Sequence, residues 1–364
     1  MQKQNVHFGS ALHRIPRATI MVRLSFKTLS LWLAALACLP FGSIASGEAI
    51  QWVTVGDPGN AAYITSYGDV ATSFQIMKYE FTNQQYTDFL NSVAATDTYS
   101  LYSASMGSNA RGGITRSGTS GAYTYAVRSS MGDKPVNHVS WFDAARVANW
   151  LMNGGTSSSS TETGAYTLGG ATSGDAVAVN HGATFYIPTE DQWYKAAYYK
   201  GGSTNAGYWD YATQNDTAPT TVTADATGIG SAGSTGNFAN FSNGAVWNDQ
   251  TGNVTVVGTN GGPSPYGAFD MTGNVAEMND LTGAAGSSRG RRGGGWNNDA
   301  FVSSSSSTDT ISPSIHVGGL GFRLASPVAS PSSVPEIDPN SLGSVLALVL
   351  GSLGLLERRR LKAA

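Results

Sequence analysis

A 364-residue chain with one cysteine, Cys38, can form no internal disulfide and no Cys-ligated zinc or iron–sulfur site. The same chain carries 45 glycines and long Gly/Ser/Thr tracts such as 153–164 and 200–236. So much irregular chain, without covalent staples, has to be held by a sizeable apolar core and by side chains that tie loops together. The core is available: 41% of residues are hydrophobic, with 8 Trp, 16 Tyr and 13 Phe. No period of 20–50 residues repeats across 47–327, which argues against a solenoid or propeller.

Charge is unevenly placed. Nine of the 21 Lys and Arg lie in residues 1–46 and 335–364, against three of the 24 acids, so the body between them is acidic by nine charges. An acidic body without a basic stripe argues against a nucleic-acid partner.

Both ends read as addresses. Residues 1–46 are read as a signal peptide, with Met21 as an alternative start to Met1: Arg23 and Lys27 form the basic region, Leu29–Leu39 the apolar stretch, and Ser43–Ala45 the cleavage region. At the other end a Pro/Ser linker over 328–341 contains Val334-Pro335-Glu336 and leads to apolar Leu342–Leu356, then Arg358-Arg359-Arg360. In that order these parts resemble a PEP-CTERM sorting signal. The resemblance implies exosortase-type sorting machinery as a partner, a transmembrane and sorting helix over 342–364, and display at the cell surface, outer envelope or extracellular matrix.

Three helices stand out in the body, taken as one domain over 47–327. Thr82 caps Asn83–Ser92, Ser140 caps Trp141–Met152, and a third runs from Pro188-Thr189-Glu190 to about Tyr199. Short β-prone runs such as Ile114–Val127 complete an α+β class.

Six segments carry a family resemblance: MKYEFTNQQYTDFLN (77–91), PVNHVSWFDAARVANWL (135–151), FYIPTEDQWYKAAYY (185–199), YGAFDMTGNVAEMND (266–280), RRGGGWNND (291–299) and GLGFRLA (319–325). In this order they resemble the formylglycine-generating-enzyme-like, or sulfatase-modifying-factor, domain. The resemblance implies a C-type-lectin-like fold, low in regular secondary structure and holding calcium.

The 270–277 segment has its own physical logic. Asp270 and Glu277 flank a turn-forming Gly273-Asn274 pair, an arrangement able to aim carboxylates and carbonyls at a hard cation. The alternative for the same residues is a hydrogen-bonded turn. The family pattern implies side-chain ligation by Asp270 and Glu277 and carbonyl ligation by Gly273 and Val275. It implies a second calcium site at Asn240, the Phe241 carbonyl, Asp249 and the Thr251 carbonyl.

Arg291, Arg292 and Arg323 read as ties between loop carbonyls. Trp141, Trp150, Trp193 and Trp296 read as core. His138, His181 and His316 are scattered in sequence, without metal-ligand spacing.

The aerobic family members use two cysteines and copper(I). Counted from Gly293-Gly294-Gly295-Trp296, those positions fall on Asn298 and Ser303, so formylglycine chemistry lacks its thiolates and no copper is expected. The expectation is a non-catalytic, calcium-stabilised binding or structural module. Trp296, Asn297, Asn298 and Ser303 would face a cell-surface polysaccharide or a protein ligand. The alternative is a metal-dependent oxidase or other enzyme of the family with an unrecognised site.

Overall fold

The computed structural model describes residues 49–64 and 66–328, all within one compact unit. In chain order the elements are β1 (Trp52–Val55), β2 (Phe74–Met77), α1 (Asn83–Val93), α2 (Ser105–Ser108), β3 (Ile114–Ser117), β4 (Thr124–Val127), α3 (Trp141–Met152), α4 (Glu190–Tyr198), β5 (Thr220–Thr221), β6 (Phe238–Ala239), β7 (Ala276–Asn279), β8 (Arg289–Arg292), β9 (Asp309–Ile311), β10 (Leu320–Gly321) and β11 (Ala325–Pro327). The class is mixed α/β with few helices, short strands and much loop.

The three long helices begin where their capping chemistry puts them. Thr82 with Gln85, Ser140 with Asp143 and Thr189 with Gln192 each form a reciprocal capping box, satisfying two otherwise orphaned amides per helix. An apolar stripe is too modest a description of α3: every residue from Trp141 to Trp150 is buried, so this helix is the spine of the domain rather than a surface element. Even its arginine is inside. Arg146 holds Glu162 through two nitrogens, at 2.7 and 3.1 Å, and the Ala171 carbonyl at 2.8 Å, tying the 153–171 loop to the spine.

The chain ends of the domain meet in one sheet of order β1-β2-β11, antiparallel throughout. A second sheet, β10-β7-β8-β9, is parallel only where Leu320 and Gly321 pair with Ala276 and Glu277. The β-prone run 114–127 forms the β3–β4 hairpin, and β5 pairs with β6 in parallel. One apolar cluster surrounds α1 and α3, with Phe81, Phe89, Trp141 and Phe322. Another surrounds α4, with Trp193, Tyr194, Tyr198 and Phe74. Arg323 stands where the two sheets and α4 converge, and the candidate site is built around it.

The membrane and localisation expectations need correction. Among the described residues no helix is long and apolar enough to cross a membrane. Residues 342–364, on which the anchor, the exosortase partner and the surface location rested, lie outside the described residues, as do the signal peptide (1–46) and the linker from 329 onward. No membrane attachment is assigned.

Candidate functional site

The turn 270–274 is unusually left-handed: Asp270 (φ 58°), Gly273 (φ 87°) and Asn274 (φ 63°) all have positive φ. The left-handed form costs an ordinary residue about 1–2 kcal/mol, so packing must hold this turn. Three contacts do so. Asn274 N donates to the Asn240 carbonyl at 2.7 Å, Gly273 N to the Gly293 carbonyl at 2.8 Å, and Trp296 N to the Asn274 carbonyl at 2.8 Å. The turn therefore joins three places that the sequence marked separately: 270–277, Asn240 and the 293–298 segment.

Within this knot sit three buried carboxylates. Glu277 accepts Arg323 Nε and Nη2, each at 2.6 Å, and Trp193 Nε1 at 2.8 Å. Asp270 accepts Gly258 N at 2.5 Å and Asn260 Nδ2 at 2.8 Å. Glu80, which sequence reasoning left without a role, accepts Asn274 Nδ2 at 2.7 Å and Val275 N at 3.1 Å. Burial pushes the Glu80 carboxyl well above its usual range, and the neighbouring Asp270 and Glu277 charges push it further; Arg323 pulls the other way. Asp270 is raised as well, chiefly by burial. Three acids share one guanidinium, and such an excess of buried negative charge is costly unless a cation or a proton offsets it.

The residues expected at the second site are not all brought together. Asn240 is fully buried, and its Nδ2 donates to the Asn253 carbonyl (2.8 Å), Thr255 Oγ1 (3.0 Å) and Asn274 Oδ1 (3.2 Å). Its own Oδ1 has no hydrogen-bond partner, and neither does Asn253 Nδ2. Asp249, in contrast, is exposed on the Trp247–Gln250 turn, and the Thr251 carbonyl accepts Arg111 Nη2 at 3.0 Å. The Phe241 carbonyl accepts Thr221 Oγ1 at 2.6 Å. Asn253 and Thr255 therefore stand beside Asn240 where Asp249 and Thr251 were expected. The sequence did hold a signal, since Thr251-Gly252-Asn253-Val254 repeats Thr272-Gly273-Asn274-Val275.

Among the described residues no group of three His, Cys, Asp or Glu is arranged to hold a metal ion. A cation here would complete its shell with carbonyl and amide oxygens, as calcium commonly does.

At the positions of the family cysteines, Asn298 Oδ1 accepts Gly295 N at 2.9 Å and Ser303 is fully buried, its Oγ donating to the Asp299 carbonyl at 3.3 Å. A Cβ on Gly294 would run into Ser303 Oγ, so Ser303 packs against the glycine turn instead of facing a ligand. The adjoining recess, between Arg291, Asn298, Val302 and Asp309, has a volume of about 30 Å³, room for a water or two. Trp296 is only half-buried, and Arg111 stacks 4.3 Å from its ring centre. Asn297 is exposed. Trp141, Trp150 and Trp193 are core. The arginines divide: Arg323 also donates to the carbonyls of Met77 and Phe269, and Arg292 to that of Ser305, while Arg291 pairs with exposed Asp309.

Two of the scattered histidines come together on α3's N-terminus; His181 stays exposed elsewhere. His316 Nε2 lies 2.9 Å from Asp143 Oδ2, which raises its pKa. His138, at φ 57° and 6% exposed, has an unpartnered Nε2; burial first, and the His316 charge second, lower its pKa to about 4. A histidine depressed from its unfolded value takes up fewer protons folded than unfolded, so it costs stability as pH falls from about 6.5 to about 4. Replacing His138 with Asn, which tolerates positive φ, should leave the difference between variant and wild type constant above pH 7. Between pH 6.5 and 4 it should shift in the variant's favour by roughly 2–4 kcal/mol. Denaturant unfolding at several pH values measures this, and a pH-independent difference would show that His138 titrates normally.

With this geometry in view, the family comparison is decisive. A model of the sulfatase-modifying factor enzyme 1-like (FGE-sulfatase) domain matches residues 40–328. Among solved structures the chain is similar to CarF (22% identity, TM-score 0.47, covering 77% of this chain and 99% of that one). It is also similar to variable protein 1 of Treponema denticola (20%, 0.44, 77% and 95%) and to PvdO from Pseudomonas aeruginosa (17%, 0.36, 77% and 92%). No curated protein matches the chain. The match over 40–328 covers most of the sequence and all six marked segments, and on that basis the chain belongs to the sulfatase-modifying factor enzyme 1-like domain family.

Proposed function

We propose that this domain is a non-catalytic member of its family, a binding module whose loop-rich body is stabilised by calcium. The observation that carries the calcium reading is the charge imbalance at Glu80, Asp270 and Glu277 around the single Arg323, next to the unpartnered Asn240 Oδ1. Asp270 and Glu277, with the carbonyls of Gly273 and Val275, supply the hard oxygens that calcium takes. Glu277 Oε1 and the two Asp270 oxygens each accept one hydrogen bond and keep a second lone pair for it, whereas Glu277 Oε2 accepts both Arg323 Nε and Trp193 Nε1. A second ion at Asn240 would draw on Asn253 and Thr255 rather than on Asp249 and Thr251.

The non-catalytic reading rests on Asn298 and Ser303. Both are committed to internal bonds, neither supplies a thiolate, and the recess beside them is too small for a substrate. The rim for a ligand is then exposed Asn297, with the half-buried Asn298 and Trp296 beside it, and Ser303 acts beneath it as packing.

Metal analysis of the purified full chain should find one or two calcium ions per chain and no stoichiometric copper or iron. Chelation should then lower the melting temperature by about 5–10 °C, the equivalent of removing a ligand held at about 100 times its Kd. Unchanged melting after chelation would remove calcium from the account. Turnover of a cysteine-containing peptide would overturn the non-catalytic reading.

A further inference from the structure

A cavity of about 220 Å³ lies away from the cleft, between the end of β2, the start of α1 and the 256–257 loop. Its polar walls are Gln51, Tyr79, Glu80, Thr82, Gln85 and Asp133, and no Lys, Arg or His lines it among the described residues. The main chain around it is satisfied: the Gln51 carbonyl accepts Lys78 N at 2.8 Å and the Asp133 carbonyl accepts Val257 N at 2.9 Å. The side chains of Gln51 and Asp133 and the Tyr79 hydroxyl make no hydrogen bond to a described residue, and Asp133 is exposed at the rim. Glu80 backs the cavity from within, each of its oxygens accepting a single bond.

Three features decide the sign of what fits. The helix start that borders the cavity offers nothing to an anion, because its first amides are all taken. Thr82 N goes to Gln85 Oε1, Asn83 N to the Lys134 carbonyl, Gln84 N to the Gly132 carbonyl and Gln85 N to Thr82 Oγ1. The basic neighbours are turned to other work: Lys134 Nζ binds the carbonyls of Ser130 and Thr227, and Lys78 Nζ lies 5.2 Å from the Tyr79 ring centre and 5.6 Å from that of Phe269. Lys78 also shows that the Tyr79 face already attracts an ammonium group. What remains is a concave site with a carboxylate at the rim, the buried Glu80 carboxyl at the back, amide oxygens and an aromatic wall, a lining of hydrogen-bond acceptors with no basic side chain among the described residues.

We propose that this cavity binds a ligand through a primary ammonium group, with Asp133 and Gln51 contacting it at the rim and Tyr79 and Glu80 behind. The site is separate from the cleft at Asn298 and shares only Glu80 with the calcium reading; its rim contacts, Asp133 and Gln51, belong to it alone.

The test uses the full chain with two sugars of the same ring, glucosamine and N-acetylglucosamine, the second with its nitrogen made a neutral and bulkier amide, followed by calorimetry and NMR. Glucosamine should bind saturably, weaken as salt is added, and exceed N-acetylglucosamine in affinity by at least tenfold. Asp133→Asn should weaken glucosamine about tenfold. Its melting temperature should be unchanged, since the Asp133 side chain holds no other part of the fold. Gln51→Ala should weaken it several-fold. Equal binding of the two sugars, no saturable binding of glucosamine, or an unaltered Asp133→Asn variant would each overturn the proposal. Displacement of glucosamine by calcium, with calcium binding itself lost in Asp133→Asn, would reassign the cavity to a metal ion.

Discussion

Replacing Arg323 with methionine should destabilise the domain by about 3–5 kcal/mol, the usual cost of breaking a buried ion pair by removing one partner. The reason lies in what Arg323 leaves behind. Glu277 loses both guanidinium bonds and keeps only Trp193 Nε1, while the carbonyls of Met77 and Phe269 lose their donor. Glu80 and Asp270 meanwhile lose the only positive charge among the groups that shift them. At about 2–4 °C per kcal/mol for a domain of this size, the melting temperature should fall by roughly 6–20 °C. Arg323→Lys should recover part of the loss, because it restores the charge without the planar fork that reaches two carboxylate oxygens and two carbonyls at once. Removing both charges, Arg323→Met with Glu277→Gln, should be less harmful than the sum of the single changes, since no uncompensated ion is left. If calcium binds this cluster, saturating calcium should narrow the deficit of Arg323→Met by supplying the missing positive charge. Differential scanning with and without chelator reads all of this, and a loss below about 1 kcal/mol for Arg323→Met would show that the carboxylates are protonated and need no partner.

How far the sequence revealed this arrangement depends on whether its signals were local. The three long helices were legible because a capping box is written within four residues: Thr82 to Gln85, Ser140 to Asp143, Thr189 to Gln192. Strands such as Leu320–Gly321 and Thr220–Thr221 were not, since two residues carry no period. The 270–277 turn was found from its own residues. Its partner Glu80 was missed because it lies almost 200 positions upstream, a lone acid between Tyr79 and Phe81 with nothing local to mark it. Asp249 and Thr251 were carried over from the family pattern, whose register across this loop depends on the length of chain between them and the 270–277 segment. Yet the Trp247–Gln250 turn holds Asp249 in solvent, while burial of Asn253 depends on the close approach of two chain segments, which spacing alone does not convey.

That close approach makes a second large effect predictable. Gly273→Ala should cost about 2–5 kcal/mol from two separate sources. Its φ of +87° is a conformation that burdens any L side chain by about 1–2 kcal/mol. A Cβ at this position would also overlap the Asn240 carbonyl oxygen and lie 2.9 Å from its carbonyl carbon, and backbone cannot swing aside as a side chain can. Gly267→Ala separates the two sources. Gly267 has almost the same φ, +90°, but a Cβ there meets only Val53 Cγ1, at an ordinary 3.4 Å, so its cost should stay near 1–2 kcal/mol. The excess in Gly273→Ala then measures how tightly Asn240 is pressed against the 270–274 turn. Any cation that draws on both segments should bind the Gly273→Ala protein more weakly, because forcing Asn240 away separates the amide and carboxylate oxygens it would share. Equal costs for the two alanines would mean that the turn and Asn240 stand further apart than this geometry requires, and the joint cation site would go with them.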